Sequence, residues 1–146
     1  MVQMEPEPVL EFIRLMWSID HELQRVSKRM VGRIGLTAPQ RLAVRFIGRH
    51  PNLTAGDLAN ALHMHPGTVT GIVRRLQETG FVTRTRSTED TRRVHLTLTP
   101  AGQTLNRRRA GTVEGAVRRA LAAVGDERTS AAAEVMKRVA EELKAE

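Results

Sequence analysis

Arginines crowd one third of this 146-residue chain in a pattern that suits a polyanion. Between Gly67 and Ala110 stand Arg74, Arg75, Arg84, Arg86, Arg92, Arg93, Arg107, Arg108 and Arg109. Only Glu78, Glu89 and Asp90 oppose them, so this stretch carries a net +6 of the chain's +7. A guanidinium pairs bidentately with phosphate oxygens or with the O6/N7 edge of guanine. Arg74 and Arg75 fall inside PGTVTGIVRRLQETG, where Val69, Ile72, Val73 and Leu76 recur at i, i+3, i+4 and i+7, one apolar stripe of a helix. The opposite face carries Thr68, Gly71, Arg74 and Arg75, with Thr70 beside them. At Gly67 and Gly71 the missing side chains let the backbone approach a ligand closely. Pro66 suits the first helical turn and Gly80 supplies the stop.

Phe81 to Arg86 and Arg93 to Thr99 read as two strands, with Val94, Leu96 and Leu98 on one side and Arg93, His95 and Thr97 on the other. The polar tip between them, Ser87 to Thr91, is flanked by Arg84 and Arg86 before and by Arg92 and Arg93 after. A helix followed by a basic hairpin is a winged helix. The helix fits the major groove of duplex DNA, and the arginine-bearing ribbon tracks phosphates or enters the minor groove. Asp90 lies two residues before Arg92, close enough across a tight turn for its carboxylate to orient the guanidinium. Each feature alone fits a solvated bundle helix and an ordinary hairpin; their order favours DNA.

The elements that hold this reader come from an aromatic-poor composition: 3% aromatic, 40% hydrophobic, no cysteine and Trp17 as sole tryptophan. The core is built from Leu, Val, Ile, Ala and Met. Without cysteine, disulfides, thiolate catalysis and thiol-based sensing by this chain are excluded. No apolar run approaches the ~18–20 residues that span a bilayer, and MVQMEPEPVL lacks the marks of a signal peptide, so a cytoplasmic location with no membrane partner is expected.

After an acidic leader to Pro8, Val9–Arg33 carries Val9, Phe12, Ile13, Met16, Ile19, Leu23, Val26 and Met30 at helical steps. Trp17 and His21, four apart beside that stripe, are expected to form a buried pair. Thr37 to Gln40 has the capping-box pattern and opens a helix to about His50, with Leu42, Phe46 and Ile47 inward. Thr54 to Asp57 opens the next, with Leu58, Ala59, Ala61 and Leu62 inward. His63-Met64-His65 then leads into the reader, completing a helix-turn-helix. Thr99-Pro100 is expected to start one helix reaching Val124, and Gly125-Asp126 to break it before a last helix, Glu127–Ala145. Apolar stripes on the first and last helices exceed what so small a reader covers, and pairing of two chains buries them.

The order of elements and the strings GLTAPQRLAV, LTAGDLANAL, PGTVTGIVRRLQETGFVTR and DTRRVHLTLTPAG resemble the MarR family of multiple-antibiotic-resistance regulators across nearly the whole chain. Asp90 and Arg92 match that family's Asp-x-Arg wing motif, in which the acid is thought to hold the arginine for the minor groove. The resemblance implies a mainly α fold: a winged helix-turn-helix with a two-stranded β wing over residues 36–99. Residues 1–35 and 100–146 would form a dimerisation lobe. It further implies a homodimer on double-stranded DNA, acting as a repressor on a pseudo-palindrome. A crevice between the lobes would admit a small aromatic or anionic effector, with Trp17, His21, Arg25, Met30 and Arg45 near it.

His63 and His65, with His50 upstream, supply too few ligands for zinc, and no cysteine or carboxylate cluster completes a set. Turn histidines touching phosphate, His65 above all, are the preferred reading. No metal, cofactor or catalytic motif stands out. Two competing functions are a DNA-architectural protein that senses nothing and an interaction module whose basic face meets an acidic protein.

Overall fold

The computed structural model describes residues 7–146; the leader, apart from Glu7 and Pro8, lies outside the described residues. Its elements run α1 (Pro8–Ile34), α2 (Ala38–Arg49), α3 (Ala55–Leu62), α4 (Pro66–Glu78), β1 (Val82–Arg86), β2 (Val94–Leu98), α5 (Pro100–Arg107), α6 (Val113–Val124) and α7 (Asp126–Ala145). The fold is a mainly α winged helix.

Threonines start four of the helices, because a hydroxyl at the N-cap accepts one of the backbone N–H groups that a helix start leaves unpaired. Thr37 Oγ1 accepts from Gln40 N while Gln40 Oε1 accepts from Thr37 N at 3.1 Å, a complete capping box. Thr54 and Asp57 do the same for α3, at 3.1 and 3.0 Å. Thr99 accepts from Gly102 N at the head of α5, and Thr112 from Gly115 N at the head of α6. The core lies where α2, α3, α4 and the wing meet the C-terminal end of α1, with Met30, Leu36, Val44, Leu58, Val73 and Leu76 fully buried.

β1 and β2 pair antiparallel with Val82 opposite Leu98, Arg84 opposite Leu96 and Arg86 opposite Val94. On its other edge β2 is held by Leu96 N donating to Leu53 O at 2.8 Å, so the segment before α3 anchors the wing. Gly102 packs against the chain entering the wing: a Cβ there would lie 2.1 Å from Phe81 O.

The expected single helix Pro100–Val124 is two helices. The chain leaves helix at Arg108, turns through Gly111 at φ +73° and restarts on Thr112. The break is braced from α2. There the buried positions are Arg41, Ala43, Val44 and Ile47, while Leu42, expected inward, is 40% exposed. Residues three and four apart share a helix face, and Val44 sets that face on Arg41 rather than Leu42. Arg41 is 2% exposed. Its Nη1 donates to Leu105 O; its Nη2 donates to the carbonyls of Asn106 and Arg108 and to Glu114 Oε1, the last at 2.8 Å. One guanidinium thus gathers carbonyls at and just beyond the end of α5 and joins them to the first turn of α6. Arg45 adds Asn106 Oδ1 at 2.7 Å and Glu114 Oε2 at 3.2 Å; burial pushes its pKa down, with Glu114 opposing.

Two smaller expectations also differ. Ala61 is exposed, because Leu58, Ala59 and Leu62 already fill the short inner face of α3. Trp17 is 73% exposed and His21 is exposed as well, so they form no buried pair. Both lie off the Phe12–Met16–Leu23 stripe, roughly 100° round the helix from Met16 at Trp17. The aromatic contact among the described residues is Phe46 on His50, centroids 5.9 Å apart.

Arg41→Ala should take the donor from Arg108 O and leave Glu114 to Arg45 alone, lowering the unfolding free energy by about 3–5 kcal/mol in denaturant melts. Arg41→Lys should recover little, since an ammonium cannot reproduce the guanidinium fork. Asp57 gives a pH signature. Hydrogen bonds from Thr54 hold its carboxyl below the usual aspartate range, with Arg93 and His95 contributing. Its stabilisation is therefore complete above the ordinary aspartate pKa near 4 and is lost as pH falls through the lowered value. Asp57→Ala should cost about 0.5–1 kcal/mol at pH 6, the low end for a half-exposed cap, and melts near pH 3 should show that deficit shrinking.

Candidate nucleic-acid interface and ligand cavity

α4 divides cleanly. Val69, Ile72, Val73 and Leu76 are buried, whereas Gly67, Thr68, Thr70, Gly71, Arg74 and Arg75 are exposed. A Cβ at Gly71 would meet nothing within 4 Å, so packing within the chain does not require a glycine there. His65 is the N-cap: its Nδ1 accepts from Gly67 N at 3.0 Å. That bond commits the Nδ1 lone pair to the helix start. His63 sits in left-handed backbone at φ 51° as the C-cap of α3. Among the described residues no three His, Asp or Glu side chains gather as a metal site would need.

The wing is tied to the reader at its base. Arg84 Nε donates to Gln77 Oε1 at 3.1 Å, joining β1 to the last turn of α4, and Arg93 lies 3.8 Å from Asp57 at the head of α3. At the tip, Ser87 Oγ accepts from the amides of Glu89 and Asp90, and Asp90 O accepts from Arg93 N. The spacing of Asp90 and Arg92 predicts a carboxylate–guanidinium pair, but Asp90 does not meet the Arg92 guanidinium. Its Oδ1 accepts from the backbone N of Arg92 at 3.0 Å, an Asx turn that shapes the chain and leaves the arginine head free. The guanidinium groups of Arg74, Arg75, Arg86 and Arg92 have no hydrogen bond or ion pair among the described residues. Four uncommitted cations beside an open helix face make a strongly positive surface with donors ready for an anionic partner.

Behind this face, between α1, α2 and α6, lies a cavity of about 690 Å³. Leu23, Leu42, Met64, Val113 and Val117 form its apolar walls; Asp20, Lys28, Arg41 and Glu114 supply the charged groups. None of Trp17, His21, Arg25, Met30 and Arg45 lines it. Met30 is fully buried in the core, Arg25 pairs with Glu22, Arg45 is bound to Asn106 and Glu114, and Trp17 and His21 stand on an exposed side of α1. The charged groups that do line it, Asp20, Lys28, Arg41 and Glu114, were not singled out by the sequence. Helix phase could have located Arg41, three before Val44, but an arginine is ordinarily assigned to the surface.

The sequence profile of the MarR family matches residues 36–94. The organic hydroperoxide resistance transcriptional regulator of Bacillus subtilis is 31% identical over 104 residues, 69% of this chain and 71% of that protein. An HTH-type transcriptional repressor of Mycobacterium tuberculosis is 32% identical over 89 residues, 61% of this chain and 64% of its own length. The crystal structure of that mycobacterial protein with salicylic acid matches with a TM-score of 0.57 at 22% identity, covering 94% of this chain and 99% of the other. The Staphylococcus aureus MepR–DNA complex matches with a TM-score of 0.74 at 21% identity, over 90% of this chain and 97% of that one. Profile, relatives and fold agree with the geometry of the helix and wing: the chain belongs to the MarR family of DNA-binding transcriptional regulators.

Proposed function

We propose that the chain is a sequence-specific repressor that binds a pseudo-palindromic operator as a homodimer and releases it when a small organic anion fills the cavity. The observation that carries the reading is the division of α4: an apolar side locked into the core and an open side with Thr68, Thr70, Arg74 and Arg75 beside a side-chain-free Gly71. Arg74 and Arg75 would supply base-edge contacts, each good bidentate pair being worth about 1–3 kcal/mol of discrimination. Arg84, Arg86, Arg92 and Arg93, with Asp90 shaping the tip, would carry the wing's contacts. His65 and Gly67 would meet a phosphate at the helix start.

Dimerisation is supported by what one chain leaves uncovered. Phe12, Ile13, Met16 and Ile19 on α1, Val117, Leu121 and Val124 on α6, and Val135 and Leu143 on α7 are all exposed. Since α5 packs on α2 and β2, the dimerising lobe would be α1 with α6 and α7. The effector class is supported by the cavity's apolar walls with Lys28 among its lining residues, and by the salicylic acid held by the mycobacterial relative. The Bacillus relative's name points to hydroperoxides, but these 146 residues contain no cysteine to react with one.

Selection from random duplexes followed by footprinting tests the reading. Two readers on a two-fold axis should protect half-sites about 34–36 Å apart and bind the full site far more tightly than an isolated half-site. Uniform coating of any duplex would instead identify an architectural protein. The wing tip has its own test. Asp90→Asn and Asp90→Ala both remove one negative charge, but only asparagine can still accept from Arg92 N. The asparagine variant should bind operator about twofold to tenfold more tightly than the alanine variant, the worth of one hydrogen bond. Equal affinities would return Asp90 to a charge role.

A further inference from the structure

We infer that Met64 is the positioning residue through which the contents of the cavity set the start of the reader helix; this rests on the proposed effector reading. The cavity's walls come from α1, α2 and α6, with Met64 added from the turn between α3 and α4. The first three are fastened to one another. Ala38 N donates to Ser27 Oγ at 2.8 Å, joining α2 to α1, and Arg41 pairs with Glu114 at 2.8 Å, joining α2 to α6. Met64 has no such side-chain fastening. Its thioether chain has three rotatable bonds and adapts readily to what it touches.

The turn that carries Met64 has no slack. It consists of His63, Met64 and His65 alone. His63 is held in left-handed backbone, with its N–H on Asn60 O, and Met64 N donates to Ala59 O at 3.1 Å. His65 is fixed by its own ring, which caps Gly67 N. A shift of the Met64 side chain therefore passes directly into His65 and the first turn of α4. That turn holds Gly67 and Thr68, and the N-terminal residues of a recognition helix are those that meet base edges. A molecule between α1, α2 and α6 presses on a wall that gives, and the wall is continuous with the reader.

Leu42→Trp adds bulk to the cavity without disturbing the core, because Leu42 is 40% exposed on the cavity wall. It imitates a bound ligand. Operator affinity is measured for the wild type, Leu42→Trp, Met64→Ala and the double variant, with thermal melts to show that each folds. Leu42→Trp should weaken operator binding roughly fivefold or more, within the usual range of such coupling. In the Met64→Ala background the same substitution should cost less than about twofold. Equal loss in both backgrounds, or none in either, overturns the inference. With salicylate as probe, the melting temperatures of wild type and Met64→Ala should both rise while only the wild type loses operator affinity, and Met64→Leu should restore the response. If salicylate weakens both proteins equally, Met64 is not the route although the effector reading stands. If salicylate changes neither melting temperature, the aromatic-acid reading fails, and the Leu42→Trp comparison still decides Met64.

Discussion

A buried guanidinium is expensive to desolvate, and the architecture around Arg41 is what makes it tolerable. The end of α5 brings the carbonyls of Leu105, Asn106 and Arg108 to it, with the negative end of the helix dipole behind them, and Glu114 supplies the countercharge. This exchange is mutual: α5 can stop at Arg107 because its last carbonyls have a donor waiting in α2. Where α5 stops determines where α6 begins, and α6 forms one wall of the cavity. Arg41 thus ties the reader core to α5 and α6, beside the Arg45–Glu114 pair and the packing of α1 on the core. Its Nε, buried without a partner, is the one flaw in that satisfaction among the described residues.

The reading surface is built on a different principle. Nothing on it is buried, and its rigidity is borrowed. α4 is held by its apolar side, β1 is tied to the end of α4 through Arg84 and Gln77, and β2 is held by Leu53. Local turn chemistry at Ser87 and Asp90 completes the wing tip. The arginines left uncommitted are exposed to solvent. Their attraction is long-ranged at low salt and falls with ionic strength, as expected of a surface that meets phosphates before bases.

Between these regions lies the cavity, whose apolar walls face solvent in the single chain. Much of α1, α6 and α7 is likewise uncovered, and α7 packs against α6 without burying any residue fully. In the dimer we propose, the partner would fix α1 and α6, leaving the Met64 side chain as the compliant part of the cavity wall. A small change at such a boundary can alter whether both readers meet their half-sites at once.

Much was legible in the residues alone. Capping threonines at 37, 54 and 99 marked helix starts because a cap is a local bond between residues three apart. Alternation placed Leu96 and Leu98 inward, and the stripe from Val69 to Leu76 placed Arg74 and Arg75 outward, because both patterns depend only on backbone period. The break at residues 108–112 was not legible. Gly111 and Thr112 turn and restart the chain locally, but the donor that braces the break is Arg41, more than sixty residues away, which local propensity cannot register. The cavity was hidden for the same reason, since it is enclosed by residues that three helices bring together from distant parts of the chain. Even Asp90 and Arg92, two residues apart, met through a backbone amide rather than the expected guanidinium, because Ser87 and Arg93 had already closed the turn. Period, caps and charge are properties of neighbours along the chain; burial of a charge, the end of a helix and the shape of a void are properties of neighbours in space.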